Sequence, residues 1–187
     1  MMKLSLLDRD GVVVVNRPTN IKTPEEIELI EGVPEAIAAL NGAGYKVAIC
    51  TNQAEIGRGV LTPQQVGRVH DALVAVLRER GAEIEQVFCC GTVAKSPFKK
   101  PGGGMLRDAI KTFGASPQTT FFVGDQKADL QAAYHARCRG ILVRTGMGAK
   151  PLAEGLPAYL EPVEVADDLA AAVKTILAQD AVDPGRQ

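Results

Sequence analysis

The chain has 187 residues and a formal net charge of −1, and 46% of its residues are hydrophobic against 23% charged. This composition predicts one globular domain over residues 1–178, with a disordered tail at 179–187. The small net charge argues against a nucleic-acid partner. The sequence has no apolar run near the ~20 residues of a membrane span and no signal-peptide pattern, so we expect no membrane attachment. We also expect a monomer.

The cysteines indicate the redox environment of the protein. There are four of them, at positions 50, 89, 90 and 138, and no two form a C-x-x-C pair. A reduced, cytoplasmic protein is the expectation from this pattern. Cys50 lies within an apolar run and is expected to be a small core residue.

Short apolar runs alternate with helical stripes along the chain. The runs predict strands at 3–7, 45–50, 84–90, 119–123 and 140–143, with a short last strand at 158–160. Residues 12–15 should continue the first strand or form an extended arm. Apolar residues at helical spacing predict helices at 33–41, 62–81, 105–113, 128–136 and 167–178. This alternation predicts a three-layer α/β fold around a parallel sheet.

The end of the first strand carries two aspartates, Asp8 and Asp10, followed by Gly11. Residues i and i+2 of a strand point the same way, so both carboxylates can project beyond the carboxyl end of the sheet, where α/β proteins bind ligands. Because two close carboxylates repel each other, this pattern favours a divalent-metal site. A surface turn is the alternative, since Asp and Gly are common turn residues.

Other polar residues follow later predicted strands, and a parallel sheet brings these ends to one edge. Together their chemistry fits phosphoryl transfer. Asp8 is the candidate nucleophile, forming an aspartyl-phosphate, and Asp10 is the candidate general acid and base. Mg²⁺ would lie between Asp8, the backbone carbonyl of Asp10, and Asp125. Thr51 and Asn52 would donate to phosphate oxygens.

Lys100 would add a compact positive charge to the same phosphate site. Each of these later residues has an ordinary structural explanation when it is taken alone. Thr51 and Asn52 fit a helix cap, Lys100 fits a solvated surface and Asp125 fits a strand-end turn. Their shared position after predicted strands is what favours a single site. His70, alone near the apolar face of the second helix, is expected to be a half-buried structural residue.

Four motifs resemble the signatures of the haloacid dehalogenase superfamily over residues 3–178. They are Leu7-Asp8-Arg9-Asp10-Gly11, Thr51-Asn52-Gln53, Lys100-Pro101 and Gly124-Asp125-x-x-x-Asp129. Within it, the chain is similar to the D-glycero-D-manno-heptose 1,7-bisphosphate phosphatases and the related histidinol-phosphate phosphatases. The resemblance implies a Rossmann-like sheet without a large cap domain, Mg²⁺ dependence and the roles given above. It also implies substrate contacts at Gln53, Arg17, Arg58 and Lys99, and a place in the synthesis of lipopolysaccharide precursors.

The chain departs from that branch in the loop before Lys100. The branch usually has a zinc loop, in which Cys-x-His is followed by Cys-x-Cys. Here only Cys90 matches, and the other ligand positions hold Thr92, Ser96 and Phe98. Since zinc prefers four nitrogen or sulfur ligands, we expect no zinc. Gln126 also replaces a lysine that is common after the motif aspartate.

The resemblance favours hydrolysis of heptose 1,7-bisphosphate at C7, and a histidinol phosphate or another metabolite phosphate is the alternative. A polynucleotide 3′-phosphatase fits less well, because the sequence shows no basic groove. A protein that binds a phosphometabolite with weak catalysis is an alternative of a different class. The presence of Asp8, Asp10 and Asp125 argues against it.

Overall fold

A computed structural model describes residues 2–182 of the chain. Its centre is a sheet of six parallel strands in the order β3-β2-β1-β4-β5-β6. The strands are β1 (Lys3–Leu7), β2 (Tyr45–Asn52), β3 (Gln86–Cys90), β4 (Thr120–Gly124), β5 (Arg139–Val143) and β6 (Glu164–Ala166). The predicted α/β fold with a parallel sheet is confirmed, and no separate cap domain interrupts the strands and helices of residues 2–182.

The helices are α1 (Val33–Gly42), α2 (Pro63–Glu79), α3 (Gly104–Thr112), α4 (Lys127–Ala136), α5 (Ala149–Glu154) and α6 (Leu169–Val182). Helices α1, α2 and α6 pack on one face of the sheet, and α3 and α4 pack on the other. None of the helices within residues 2–182 is long and apolar enough to cross a lipid bilayer.

Strand β1 lies in the middle of the sheet, between β2 and β4. Its side chains alternate between the two cores: Leu4 and Leu6 pack against α3 and α4, whereas Leu7 packs on the opposite face. All three leucines are fully buried, which explains why this strand is a continuous apolar run. The central strand therefore delivers Asp8 and Asp10 to the middle of the carboxyl edge.

Helix α2 begins where its sequence predicts. Thr62 accepts a hydrogen bond on its hydroxyl from the Gln65 backbone N–H at 3.1 Å, and the Thr62 N–H donates to the Gln65 side chain at 2.8 Å. This capping box satisfies two backbone donors at the helix start. The helix carries His70 to the sheet, where its side chain is 8% exposed.

One sequence-based assignment of secondary structure was wrong, and one of two alternatives for another segment is excluded. Residues 158–160 form a 3₁₀ turn after Pro157, and the sixth strand is Glu164–Ala166 instead, paired with β5. Residues 12–15 do not continue β1, because Gly11 has φ +82° and the chain turns back so that the Val14 N–H donates to the Arg9 carbonyl at 3.0 Å. A glycine is needed there because other residues rarely adopt positive φ.

The predicted disordered tail is also corrected in part. Helix α6 continues to Val182, so residues 179–182 are helical. The Gln179 side chain donates to Glu164 at 2.7 Å, and Lys3 forms a 2.7 Å ion pair with Asp180. These contacts tie the last helix to strands β6 and β1. Residues 183–187, which belong to the predicted tail, lie outside the described residues.

Candidate active site

Asp8 directly follows β1 and is almost fully buried, with 5% of its surface exposed. Its backbone N–H donates to the Val123 carbonyl at 2.9 Å, which continues the pairing of β1 with β4 by one residue. The carboxylate oxygen Oδ1 accepts from the Arg9 N–H at 2.7 Å and lies 2.8 Å from the Lys100 Nζ. The predicted nucleophile is therefore held by the sheet and oriented by two donors.

Lys100 reaches this carboxylate from the loop after β3. Its side chain is 3% exposed, and its Nζ also lies 2.7 Å from Asp129 Oδ1. The Asn52 side chain holds the lysine backbone in place: its Nδ2 donates to the Lys100 carbonyl at 2.9 Å, and its Oδ1 accepts the Lys100 N–H at 3.2 Å. Asn52, predicted as a phosphate contact, thus fixes the position of Lys100 at the end of β2.

Asp125 follows β4 and is fully buried. Its Oδ2 accepts the Met147 N–H at 2.8 Å, whereas its buried Oδ1 has no hydrogen-bond partner. Gly11 and Gly146 enclose this carboxylate so closely that a Cβ on either would lie 2.1 or 2.2 Å from Oδ2. A buried carboxylate oxygen without a partner is costly, so it indicates a ligand that is bound during function.

One carboxylate cluster within residues 2–182 meets the geometry of a metal site. It joins Asp8, Asp125 and Asp129, each of which offers an oxygen within 4.8 Å of the others. Three carboxylates face one ammonium group here, so ionisation of all of them leaves excess negative charge in a buried space. Oxygen ligands of this kind suit Mg²⁺, and the unpartnered Asp125 oxygen supports the fit. Asp129 was not predicted as a ligand, although it belongs to a quoted motif.

The electrostatics of the cluster reflect burial and mutual repulsion. Burial raises the pKa of Asp8 to about 8 despite the opposing charge of Lys100, and Asp129 and Asp125 raise it further. Burial likewise raises the pKa of Asp125 to about 6. Burial alone would lower the pKa of Lys100, but the Asp129 and Asp8 carboxylates outweigh it, so the lysine stays charged. A divalent cation would reverse the penalty on both carboxylates.

Asp10 lies outside the carboxylate cluster, with its side chain 19% exposed. It is held by Arg9, whose Nε and NH2 donate to its two oxygens at 3.1 and 3.0 Å. The Gln53 side chain donates to Asp10 at 3.1 Å and to the Thr51 hydroxyl at 2.8 Å. Gln53 therefore links Asp10 and Thr51 within the site, and its contact to substrate stays a prediction.

Arg9 and His70 form a buried contact that the sequence analysis did not predict. The Arg9 side chain is only 1% exposed, and its NH1 donates to His70 Nε2 at 3.1 Å. Burial and the adjacent Arg9 charge lower the pKa of His70 to about 4, so this imidazole is neutral near pH 7. The contact joins residues 61 positions apart, and no local pattern predicts it.

The three predicted substrate contacts at the rim have different surroundings. Lys99 donates to the Val93 carbonyl at 3.0 Å, and Arg58 pairs with Glu55 at 2.8 Å, so each is bonded within its own loop. Arg17 lies 3.9 Å from Glu28 and lines a cleft of about 510 Å³. Its other lining residues are Val15, Asn16, Pro18, Ile30, Thr145, Gly146 and Met147.

The cleft adjoins the carboxylate cluster, because Gly146 and Met147 both contact Asp125. The Thr145 hydroxyl donates to the Gly11 carbonyl at 2.7 Å and holds the two loops together at this point. Arg17 therefore lines a cleft that adjoins the carboxylate cluster.

In the loop where a zinc site would lie, Cys90 is 5% exposed and packs in the core beneath α3 and α4. The loop is held by protein contacts instead, among them a 2.8 Å hydrogen bond from the Gly57 N–H to the Gly91 carbonyl. The Lys99 side chain also donates to the Val93 carbonyl within this loop.

These groups can perform in-line displacement at phosphorus. A buried carboxylate stands beside an ammonium group and two further carboxylates, and a second, more exposed carboxylate is held nearby. The first suits nucleophilic attack, and the second suits proton transfer to and from a leaving oxygen. The arrangement matches the chemistry predicted from the strand ends.

Comparisons with known proteins give the same picture. A family model described as HAD-hydrolase-like matches residues 97–172. The D-glycero-beta-D-manno-heptose-1,7-bisphosphate 7-phosphatase of Pseudomonas putida is 38% identical, over 94% of this chain and 100% of that protein. The D-glycero-D-manno-heptose-1,7-bisphosphate 7-phosphatase of Chlorobaculum tepidum is 34% identical, over 91% and 92%.

Among solved structures, the chain is similar to the D,D-heptose 1,7-bisphosphate phosphatase of B. bronchiseptica complexed with magnesium and phosphate. The TM-score is 0.88 at 36% sequence identity, and the match covers 95% of this chain and 99% of that one. The likeness therefore includes nearly the whole of both chains.

Proposed function

The chain belongs to the HAD-like hydrolase family, and from that premise we propose that it is the Mg²⁺-dependent phosphatase that hydrolyses D-glycero-D-manno-heptose 1,7-bisphosphate at C7. The observation that carries the proposal is the buried group of Asp8, Asp125 and Asp129 around Lys100 at the end of the central strand. The 7-phosphatases at 34–39% identity support the choice of substrate.

In the first step, an Asp8 oxygen attacks phosphorus and the bond from phosphorus to the sugar oxygen breaks. Lys100, 2.8 Å from Asp8, keeps the carboxylate in place and balances phosphate charge. Asp10 gives its proton to the leaving sugar oxygen. Asp8, Asp125 and the Asp10 carbonyl would hold Mg²⁺, which would supply Lewis-acid neutralisation of the phosphate.

In the second step, Asp10 takes a proton from water, and the hydroxide attacks the aspartyl-phosphate. Inorganic phosphate leaves, and Asp8 is regenerated. Asp10 thus serves once as acid and once as base, which its partial exposure beside the cleft permits. Thr51 is buried at the same edge and supports the phosphate site through Gln53.

The cleft beside Asp125 supports a substrate with a second charged group. One phosphate at the carboxylate cluster leaves the sugar directed along the cleft that Arg17 lines. Binding energy from the distant phosphate would then orient the ester for attack. The proposal includes no zinc, since Cys90 lies in an apolar core. It also includes a monomeric protein in the cytoplasm, where its four free cysteines stay reduced.

The substrate test compares kcat/KM for the heptose 1,7-bisphosphate, its 7-phosphate and histidinol phosphate. Phosphorus NMR of the product shows which phosphate is lost. The bisphosphate should have the highest kcat/KM, with loss of the C7 phosphate. A higher value for histidinol phosphate would overturn the substrate but not the phosphatase.

The nucleophile test uses Asp8→Asn. Turnover should fall by about 10³-fold or more, because the nucleophilic oxygen and its charge are both lost. The melting temperature of the metal-free variant should be no lower than that of the metal-free original protein, since burial already disfavours the charged form of Asp8. Turnover within tenfold of the original would refute covalent catalysis by Asp8.

A further inference from the structure

The hydrogen bonds of Asp10 leave one direction open on its carboxylate. Oδ2 accepts from Arg9 Nε and from Gln53 Nε2, both at 3.1 Å, and Oδ1 accepts from Arg9 NH2 at 3.0 Å. A carboxylate has about four acceptor positions, two on each oxygen. Among the contacts of residues 2–182, the remaining position is on Oδ1. That oxygen is therefore the one available to carry the proton for the leaving group.

This arrangement depends on how the Arg9 guanidinium lies. Its Nε and NH2 face Asp10, and NH2 also donates to Gln53 Oε1 at 3.0 Å. Its NH1 points the other way, to His70 Nε2 on helix α2. Loss of the NH1 contact would allow the guanidinium to turn, and the two bonds to Asp10 would no longer be parallel.

The protonation state of His70 follows from its partner. A guanidinium offers only donors, so His70 Nε2 must accept, and the ring is neutral with its proton on Nδ1. The burial of His70 and the positive charge of Arg9 both favour this neutral form. The histidine is thus a fixed acceptor at the end of a chain of hydrogen bonds that leads to Asp10.

We propose that His70 is a positioning residue for proton transfer by Asp10, acting through the buried guanidinium of Arg9. The inference rests on the proposed function, because it assigns a direction to the proton transfer of that reaction. It adds that helix α2, remote from the phosphate, determines which oxygen of Asp10 faces the leaving group. A purely structural His70 would support the fold without affecting that choice.

Phosphate esters with different leaving groups distinguish a positioning role of His70 from a purely structural one. Phenyl phosphate and the sugar ester need a proton on the departing oxygen far more than 4-nitrophenyl phosphate does. If His70 positions Asp10, its loss should slow the poor leaving groups most, whereas a structural defect should slow all esters alike. The comparison uses kcat/KM, which reports the steps through formation of the aspartyl-phosphate.

The variants are His70→Phe, which keeps a ring but removes the acceptor, and His70→Gln, which keeps an acceptor oxygen. In His70→Phe, kcat/KM for phenyl phosphate should fall about tenfold and that for 4-nitrophenyl phosphate less than threefold, part of the 10²–10⁴-fold that general acids supply. His70→Gln should recover most of the loss. Leu73→Ala is the control, since it removes buried surface from α2 with no polar contact.

Equal losses on both esters in His70→Phe, or the same discrimination in Leu73→Ala, would overturn the proposal. Asp10→Asn distinguishes failure of the proposed function itself. If that variant shows no greater loss with the poorer leaving group, then Asp10 is not the general acid, and the proposed mechanism is at fault.

A second measurement does not depend on activity. The chain has only two histidines, at positions 70 and 135. Nitrogen NMR of the histidine-labelled protein at pH 7, assigned with His70→Gln, should show a neutral His70 ring with its proton on Nδ1. A proton on Nε2, or a charged ring, would refute the contact on which the proposal depends.

Discussion

Gly146 lies against the carboxylate of Asp125, and a methyl group at that position would occupy the same space. Its φ is +60°, and the added Cβ would lie 2.2 Å from Asp125 Oδ2. Gly114 has nearly the same φ, +62°, but open space around it. The two positions share the backbone strain of an alanine in the left-handed region and differ only in the clash.

We expect Gly114→Ala to lower the free energy of unfolding by about 1–2 kcal/mol, the cost of the left-handed conformation, with activity unchanged. Gly146→Ala should lower it further and reduce Mg²⁺-dependent turnover at least tenfold, because Asp125 must move. Urea unfolding and phosphatase assays of both variants check this. Equal effects of the two substitutions would show that Gly146 does not shape the site.

His70 should also make stability depend on pH. Its pKa in the folded protein, about 4, lies below its ordinary value of 6.5. The unfolded chain therefore binds the proton more readily, and the stabilising contribution is complete above pH 6.5 and lost as the pH falls toward 4. Between pH 7 and pH 5 the loss from this group is about 1–2 kcal/mol.

The measurement is the free energy of unfolding at pH 7 and pH 5 for the original protein and for His70→Gln, which cannot titrate. The carboxylates contribute equally to both proteins, so the difference between the two slopes isolates His70. A variant that loses as much stability as the original protein would contradict the neutral buried ring.

The chemistry of the site was predictable from single residues that follow strands, but its orientation was not. Asp8, Lys100 and Asp125 were predicted because each has a charged side chain directly after a strand or in the loop that follows one, and the sheet brings those ends together. The sequence analysis expected a half-buried His70 but not its contact with Arg9, because nothing in the first motif signals that its arginine is buried. The hydrogen bonds of Asn52 to the Lys100 backbone were not predicted, and its contact to phosphate stays a prediction.

At the level of elements, Glu55 joins the loop that carries Arg17 to loop 54–60. Its Oε1 accepts from Asn20 at 2.6 Å and from Arg58 at 2.8 Å, which links loop 16–20 to loop 54–60. Asn20 has φ +57°, a conformation that non-glycine residues adopt at some cost. The Glu55 side chain is only 13% exposed, so the link is better shielded than a surface ion pair.

We expect Glu55→Ala to raise KM for the sugar bisphosphate several-fold, because both loops lose their common acceptor, and to leave kcat for 4-nitrophenyl phosphate unchanged. Glu28→Ala is the control, since Glu28 is 63% exposed and lies 3.9 Å from Arg17. A similar rise of KM in both variants would show that the Glu55 link has no particular role.

Strands were predicted correctly from the sequence where both of their faces are buried. Strands β1 and β4 are apolar on both faces and were placed within one residue. The last strand is three residues long, and its Val165 is 36% exposed, so it lacks a buried run, whereas the apolar residues at 158–160 form a turn at the surface. Short edge strands are defined by their partner, here β5, and not by their own composition.

For the molecule as a whole, metal binding and proton binding compete at the carboxylate cluster. The folded pKa values of Asp8, about 8, and Asp125, about 6, exceed their ordinary 3.8. Without metal, their contribution to stability is complete below pH 4 and is lost as the pH rises through 6 and 8. Mg²⁺ binds the ionised carboxylates, so its stabilising effect should grow over the same range.

The melting temperature should therefore rise more on addition of Mg²⁺ at pH 8 than at pH 5, and EDTA should reverse the rise. Asp125→Asn should reduce the gain at pH 8. Scanning calorimetry with elemental analysis checks this, and the analysis should find no zinc. A gain that is equal at both pH values, or about one zinc per chain, would contradict the expected site.

The enclosure of Asp125 also has a consequence for protein synthesis. Gly11 is translated before Thr145, Gly146 and Met147, which follow more than 130 residues later, and all contact one another or Asp125. A nascent chain therefore carries the nucleophile well before the walls of its site are made. Hydrolytic competence should arise only after residue 147 has left the exit tunnel.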